Sequence, residues 1–169
     1  MNEILEGARV SLCLSFLIYA SWSDYKTREV SNMVWILSAP LAFTLTFLEL
    51  YLYDFSRLPL YGICFSLTAV FAIILFYSGG FGGADAKALM CLALALPFFP
   101  FPESLLKPLS GEVSPILQAF FPITVFSNSV LLAAATAVYI FLRNVFWHKR
   151  TGRKLFEEGY QTESLGRKM

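Results

Sequence analysis

An all-α bundle of membrane-spanning helices is the fold class this sequence predicts, and three observations predict it. Hydrophobic residues make up 57% of the chain and charged residues 15%, with a mean hydropathy of +0.61, too apolar a balance for a soluble domain of this size. The apolar residues gather into runs close to the roughly 20 residues that a helix needs to cross a bilayer core. The basic residues collect in alternate links between those runs, as the positive-inside bias asks of a polytopic protein. About five spans result, six if the natural chain continues past Met169.

The first span covers 4–22. Glu3 and Glu6 give its leading segment the wrong sign for a secretory signal, so the run reads as a retained anchor. Glu6 and Arg9, three apart, share a helix face and predict an ion pair near the outer interface. A polar link, 23–32, leads to a second span at 33–53, which contains Pro40 as a kink and Glu49 near its far end. Asp54-Phe55-Ser56-Arg57 makes a tight connection to the third span, 58–77, which is continuously apolar and closed by a glycine-rich turn.

The fourth span, 86–101, is short for a membrane and carries Pro97 and Pro100, which predicts an early end or a protein-shielded setting. Residues 102–111 read as an outer loop. Pro115 and Pro122 mark 114–122 as an interfacial lead-in to a fifth span at 123–142. The division expected is a transmembrane bundle over 1–146 and a basic cytoplasmic tail over 147–169. Lys26, Arg28, Lys87, Arg143 and the tail cations lie on one side under this topology, with Arg57 and Lys107 on the other. That places the amino terminus outside and the carboxyl terminus in the cytoplasm of a multi-pass cell-membrane protein.

The net charge of +1 gives no reason to expect a nucleic-acid partner; the partner implied by composition is the lipid bilayer. Cys13, Cys64 and Cys91 are odd in number, widely spaced and set in apolar runs, which argues against a disulfide framework or a zinc site. They read as small packing residues, and neither a metal nor a cofactor is expected. His148 reads as an interfacial tail residue, since no serine or cysteine nucleophile accompanies it.

The chemistry centres on Ser78-Gly79-Gly80-Phe81-Gly82-Gly83-Ala84-Asp85-Ala86-Lys87. Its glycines allow a close approach to a substrate chain and deliver one carboxylate, Asp85, to the mouth of an apolar segment. A second acid at a membrane edge is Asp24, in Ser23-Asp24-Tyr25-Lys26-Thr27-Arg28-Glu29. Asp24 follows a helix running inward and Asp85 precedes one running outward, so both fall at one depth, near the cytoplasmic interface. Two carboxylates brought within a few ångströms do not both ionise cheaply, and such a pair supplies a base to activate water and an acid to protonate a peptide carbonyl. Read singly, Asp24 is a helix-end acid paired with Lys26 or Arg28, and Asp85 is a first-turn acid at the positive end of a helix dipole. A proton- or cation-coupled carrier using Asp85 at a glycine-broken helix is the alternative function. A third class is a non-catalytic membrane subunit that recruits a partner or anionic lipid through its basic tail.

At these two stretches the chain resembles the prepilin and preflagellin (prearchaellin) peptidases, a family of membrane aspartyl proteases. Asp24 to Asn32 is similar to the family's first motif, an aspartate followed by a basic residue, an apolar residue and an asparagine. Gly82-Gly83-Ala84-Asp85-Ala86-Lys87 resembles the second, a glycine three before the aspartate and a lysine two after it. Ala84 replaces the glycine usual in bacterial members and looks like the archaeal variant; Ser31 replaces a proline. The resemblance implies that Asp24 and Asp85 are the catalytic pair of an endopeptidase. Its substrates would be type IV pilin-like or archaellin precursors, cut after a basic leader at the cytoplasmic face. Tyr25, Asn32, Gly82, Gly83, Ala84 and Lys87 would shape the site, Lys87 by favouring the ionised form of a nearby carboxylate, and Glu29 is a candidate for holding a substrate cation. The bacterial members' amino-terminal domain with cysteine pairs has no counterpart here, which implies cleavage without methyl transfer.

Overall fold

The computed structural model describes residues 2–100 and 120–151, and among these the secondary structure is entirely helical. Five α-helices occur in order: α1 (Asn2–Thr27), α2 (Asn32–Tyr53), α3 (Leu58–Tyr77), α4 (Gly83–Ala95) and α5 (Phe121–Thr151), with a single 3₁₀ turn, Phe55–Arg57, ahead of α3. The 102–111 loop, most of the 114–122 lead-in and the tail beyond Thr151 lie outside the described residues. Four helices are long and apolar enough to cross a bilayer: α1, α2, α3 with its preceding turn, and α5.

The fourth span is shorter than the 86–101 expected. α4 has 13 residues and reaches about 20 Å at 1.5 Å per residue, short of the roughly 30 Å hydrocarbon core. It stops because Leu96 precedes Pro97 and leaves the helical region, at φ −133° and ψ 68°. Pro97 then has no N–H with which to continue the ladder.

α1 is longer than expected. Helix continues through the polar residues to Thr27, so Asp24 stands within its last turn rather than beyond it. The link to α2 shrinks to 28–31. Ser31 caps α2 by accepting from the Met33 N–H at 3.3 Å. Between α2 and α3, Asp54 accepts from the Ser56 hydroxyl at 2.6 Å and pairs with Arg57 at 2.8 Å, which folds the connection into one turn. α3 ends where Gly79 takes φ 75°, the left-handed conformation that glycine adopts without a Cβ penalty.

The chain divides into two compact units, 1–126 and 127–169. In the first, α4 is the central element and packs on α1, α2 and α3. Its core face of Ala86, Leu89, Cys91, Leu92 and Ala95 meets Cys13, Phe16 and Ala20 of α1, Trp35 and Ala42 of α2, and Ala72 of α3. Small side chains at these positions let helix backbones approach closely, the main source of association between helices in lipid. The first turns of α5 join this core, with Phe126 edge-on to Phe71 at 5.2 Å. The outer faces of α1 to α3 leave Ile18, Leu37, Val70 and Ile74 exposed, as lipid contact requires. In the second unit, the described part of α5 presents Leu131, Leu132, Tyr139 and Phe141 outward in the same way.

A helix that ends among packed neighbours leaves its last carbonyls without intrahelical donors. At the end of α4 the neighbouring helices supply them. Thr46 of α2 donates to the Leu94 and Ala95 carbonyls at 2.8 and 3.1 Å. Tyr61 of α3 donates to Leu94 at 3.3 Å, and Arg9 of α1 donates to Ala95 at 3.3 Å. The Cys64 thiol lies 3.4 Å from the Pro97 carbonyl.

Arg9 is 7% exposed and its guanidinium engages Glu49 through two nitrogens, at 2.7 and 2.8 Å. The ion partner is thus Glu49 on α2 and not the expected Glu6. Arg9 turns into the bundle, where an opposite charge with matched planar geometry and a helix C-terminus both stabilise the guanidinium.

Candidate active site

Asp24 is positioned by the way α1 terminates. Arg28 follows Thr27 in the left-handed region at φ 58°, and its N–H donates to the Asp24 carbonyl at 2.9 Å. The hydroxyls of Ser23 and Thr27 both donate to the Glu29 carbonyl, at 2.8 and 2.9 Å. Two side chains near the end of α1 thereby hold the exiting link, and Arg28 and Glu29 are carried back beside Asp24.

Asp85 is the third residue of α4. Its Oδ2 accepts from the Gly82 N–H at 3.2 Å, the bond with which a first-turn acid satisfies an orphan donor. Gly82 matters sterically as well: a Cβ there would stand 3.3 Å from Asp85 Oδ2.

The two acids, carried by α1 and α4, line one cleft of about 550 Å³, a size that accommodates a few residues of extended peptide. Both are exposed to it. Arg28 and Glu29 form one side with Asp24, and Gly82, Gly83 and Ala84 bring the α4 backbone to the surface beside Asp85. Leu17, Ala20, Trp35 and Ala88 form an apolar floor. Trp35 is buried and braced edge-on by Phe16, with ring centroids 6.3 Å apart. A cleft with two carboxylates beside an apolar floor and glycine backbone has what hydrolysis of a peptide in extended conformation needs: a base, an acid and hydrogen-bonding main chain.

Other residues singled out by sequence stand elsewhere. Tyr25 is 86% exposed and does not line the cleft, because one residue moves about 100° around a helix. Asn32 and Lys87 are joined to each other, the ammonium donating to Asn32 Oδ1 at 2.7 Å. Among the described residues the ion pairs are Arg9–Glu49 and Asp54–Arg57, so Asp24 and Glu29 do not pair with Lys26 or Arg28. Arg28 and Trp35 are wall residues that sequence reasoning missed. Leu17, Ala20, Ser21 and Asp24 share one face of α1 at helical spacing, whereas Arg28 follows the helix end at a positive φ and carries no periodic signal that would have found it.

Residues 11–142 match the type IV leader peptidase family. The chain is similar to preflagellin peptidases of Methanococcus voltae (34% identical over 136 residues, 76% of this chain and 54% of that protein) and Methanocaldococcus jannaschii (32% over 135 residues, with the same coverage). A third, from Methanococcus maripaludis, is 30% identical over 132 residues, 76% of this chain and 55% of that protein. The chain spans about half the length of the curated relatives it matches. No solved structure gives a significant match.

Proposed function

Because the chain belongs to the type IV leader peptidase family, we propose that it is a membrane aspartyl endopeptidase. It removes the basic leader from type IV prepilin-like or preflagellin (prearchaellin) precursors at the cytoplasmic face. The observation that carries this reading is the meeting of Asp24 and Asp85 in one cleft although they come from distant parts of the chain.

In the mechanism, a water between the two side chains loses a proton to one carboxylate as its oxygen bonds to the scissile carbonyl carbon. The other carboxyl group gives its proton to the carbonyl oxygen, and a tetrahedral gem-diol forms. In its collapse the carboxyl that took the water's proton gives it to the departing nitrogen as the C–N bond breaks, and one gem-diol hydroxyl returns its proton to the other carboxylate, which restores the pair to its starting state. No covalent enzyme intermediate is needed, and the two acids act as a unit. Gly82 to Ala84 offer main chain to the extended substrate beside Asp85. Asp24, Glu29 and Asp85 outweigh the one cation, Arg28, within the cleft, a balance that suits a basic leader.

The cytoplasmic placement rests on Lys26, Arg28 and Lys87, which cluster at the end of the bundle that holds the cleft. Asp24→Asn and Asp85→Asn are each expected to lower cleavage of a precursor in membranes by about 10³-fold or more, with insertion unchanged. Full cleavage by either variant ends the assignment.

A further inference from the structure

The end of α4 remote from the cleft suggests how the two acids keep their relative height. α1 carries Asp24 at one end and Arg9 at the other; α4 carries Asp85 at one end and Ala95 at the other. Arg9 donates to the Ala95 carbonyl, so the two helices that bring the acids are fastened to each other at their opposite ends. Thr46 ties the same carbonyl and that of Leu94 to α2, and Glu49 of α2 holds the guanidinium.

We infer that Arg9, Glu49 and Thr46 form an intramembrane anchor that fixes the axial register of α4 against α1, making them positioning residues for the reaction at Asp85. This rests on the peptidase reading for its catalytic part alone. Three features of the structure argue for it. α4 is too short to be held in depth by two membrane interfaces, so its position has to come from its neighbours. The donors are side chains at fixed heights on α1 and α2, joined at Leu94 by Tyr61 of α3, and each meets a carbonyl that α4 cannot satisfy itself. The contact surface along α4 is otherwise dominated by alanine and leucine, which pack well at more than one register and specify height poorly. Hydrogen bonds are directional, so a slide of one residue, about 1.5 Å, breaks them. It would also move Asp85 by a distance that matters to a reacting pair.

The experiment compares Thr46→Val, which keeps the shape and removes the donor, with Thr46→Ser, which keeps the donor. A second route is the double variant Arg9→Met with Glu49→Met, which removes the ion pair without leaving a lone buried charge. Each is reconstituted as the full-length protein in lipid vesicles. Two quantities are read: kcat and KM for precursor cleavage per inserted enzyme, and amide hydrogen exchange along each helix. The valine and double-methionine variants are expected to lose about tenfold in kcat at unchanged KM. Their α4 amides should exchange at least tenfold faster while α2 and α3 keep their protection. Serine should restore both. Equal kcat in the valine and serine variants, or unchanged α4 exchange in the valine variant, overturns the anchor; if the double variant does not insert, the Thr46 pair decides alone. Exchange does not depend on what the protein cleaves, so failure of the peptidase reading, seen as activity surviving Asp24→Asn, is distinguishable from failure of the anchor.

Discussion

The Lys87 ammonium donates to Asn32 Oδ1 at 2.7 Å, joining the start of α4 to the first residue of α2. Lys87 lies two positions after Asp85, so this bond steadies the turn that carries the acid. If that is its role, Lys87→Met and Asn32→Ala lower kcat by similar amounts, about fivefold for a charge-assisted bond between exposed groups. The double variant should then be no worse than either single one. A role for Lys87 through its field on a carboxylate makes a different forecast: Asn32→Ala would leave kcat intact. Steady-state kinetics on the three variants separate the two.

Gly82 has a Cβ direction that points at Asp85 Oδ2, 3.3 Å away. Alanine there would push the carboxylate by a few tenths of an ångström without touching the core. Gly82→Ala is therefore expected to cut cleavage about tenfold or more with little change in thermal midpoint. Gly62, inside α3, has no atom within 4 Å of such a Cβ, so Gly62→Ala should raise stability by about 0.5–1 kcal/mol and leave activity alone. Matching effects of the two substitutions on both measurements would refute this account.

Much of the site was legible because its parts are local. The glycine turn, the first-turn position of Asp85 and the closeness of Asp24 to the end of the first helix follow from short-range pattern. The length of α1 was not legible: Ser23 to Thr27 are polar and read as a link, yet hydroxyl bonds to the Glu29 carbonyl let the helix continue and close on itself. The partner of Arg9 was missed for a related reason. Sequence spacing reports which residues share a helix face, not which face turns inward, and Arg9 meets a residue forty positions away. The capping of α4 by three other helices is tertiary, and only the two prolines after it signalled that the helix would stop early.

Arg28 holds a positive φ of 58° without being glycine. That conformation costs roughly 1–2 kcal/mol for a residue with a Cβ, and it is retained where the side chain lines the cleft. Arg28→Gly is expected to keep or raise the thermal midpoint while weakening cleavage, since it relieves the backbone and removes a cleft wall. A lowered midpoint with full activity would place the value of Arg28 in folding instead.

Glu29 lines the cleft, and its main chain is pinned by two hydroxyls. With the main chain held, only the Glu29 side chain has to be ordered to meet a leader cation. Glu29→Gln should raise KM for a precursor with a basic leader by about fivefold with kcat nearly unchanged, and the difference from the parent enzyme should shrink at high salt. An unchanged KM removes Glu29 from substrate recognition.

The Arg9–Glu49 pair makes its own forecast for stability. Replacing Arg9 by Met alone leaves the Glu49 carboxylate, 16% exposed, without its guanidinium. Removing one member of a buried pair costs about 3–5 kcal/mol, whereas replacing both by apolar groups of similar volume is often close to neutral. Arg9→Met should therefore lower the thermal midpoint far more than Arg9→Met with Glu49→Met, an inversion of the usual additivity of substitutions. The double variant still leaves the Ala95 carbonyl without the guanidinium, though Thr46 continues to donate to it. Its stability is thus expected to return while its kcat does not. Thermal unfolding and kinetics measured on one preparation test whether the pair serves insertion and folding alone or also the placement of α4.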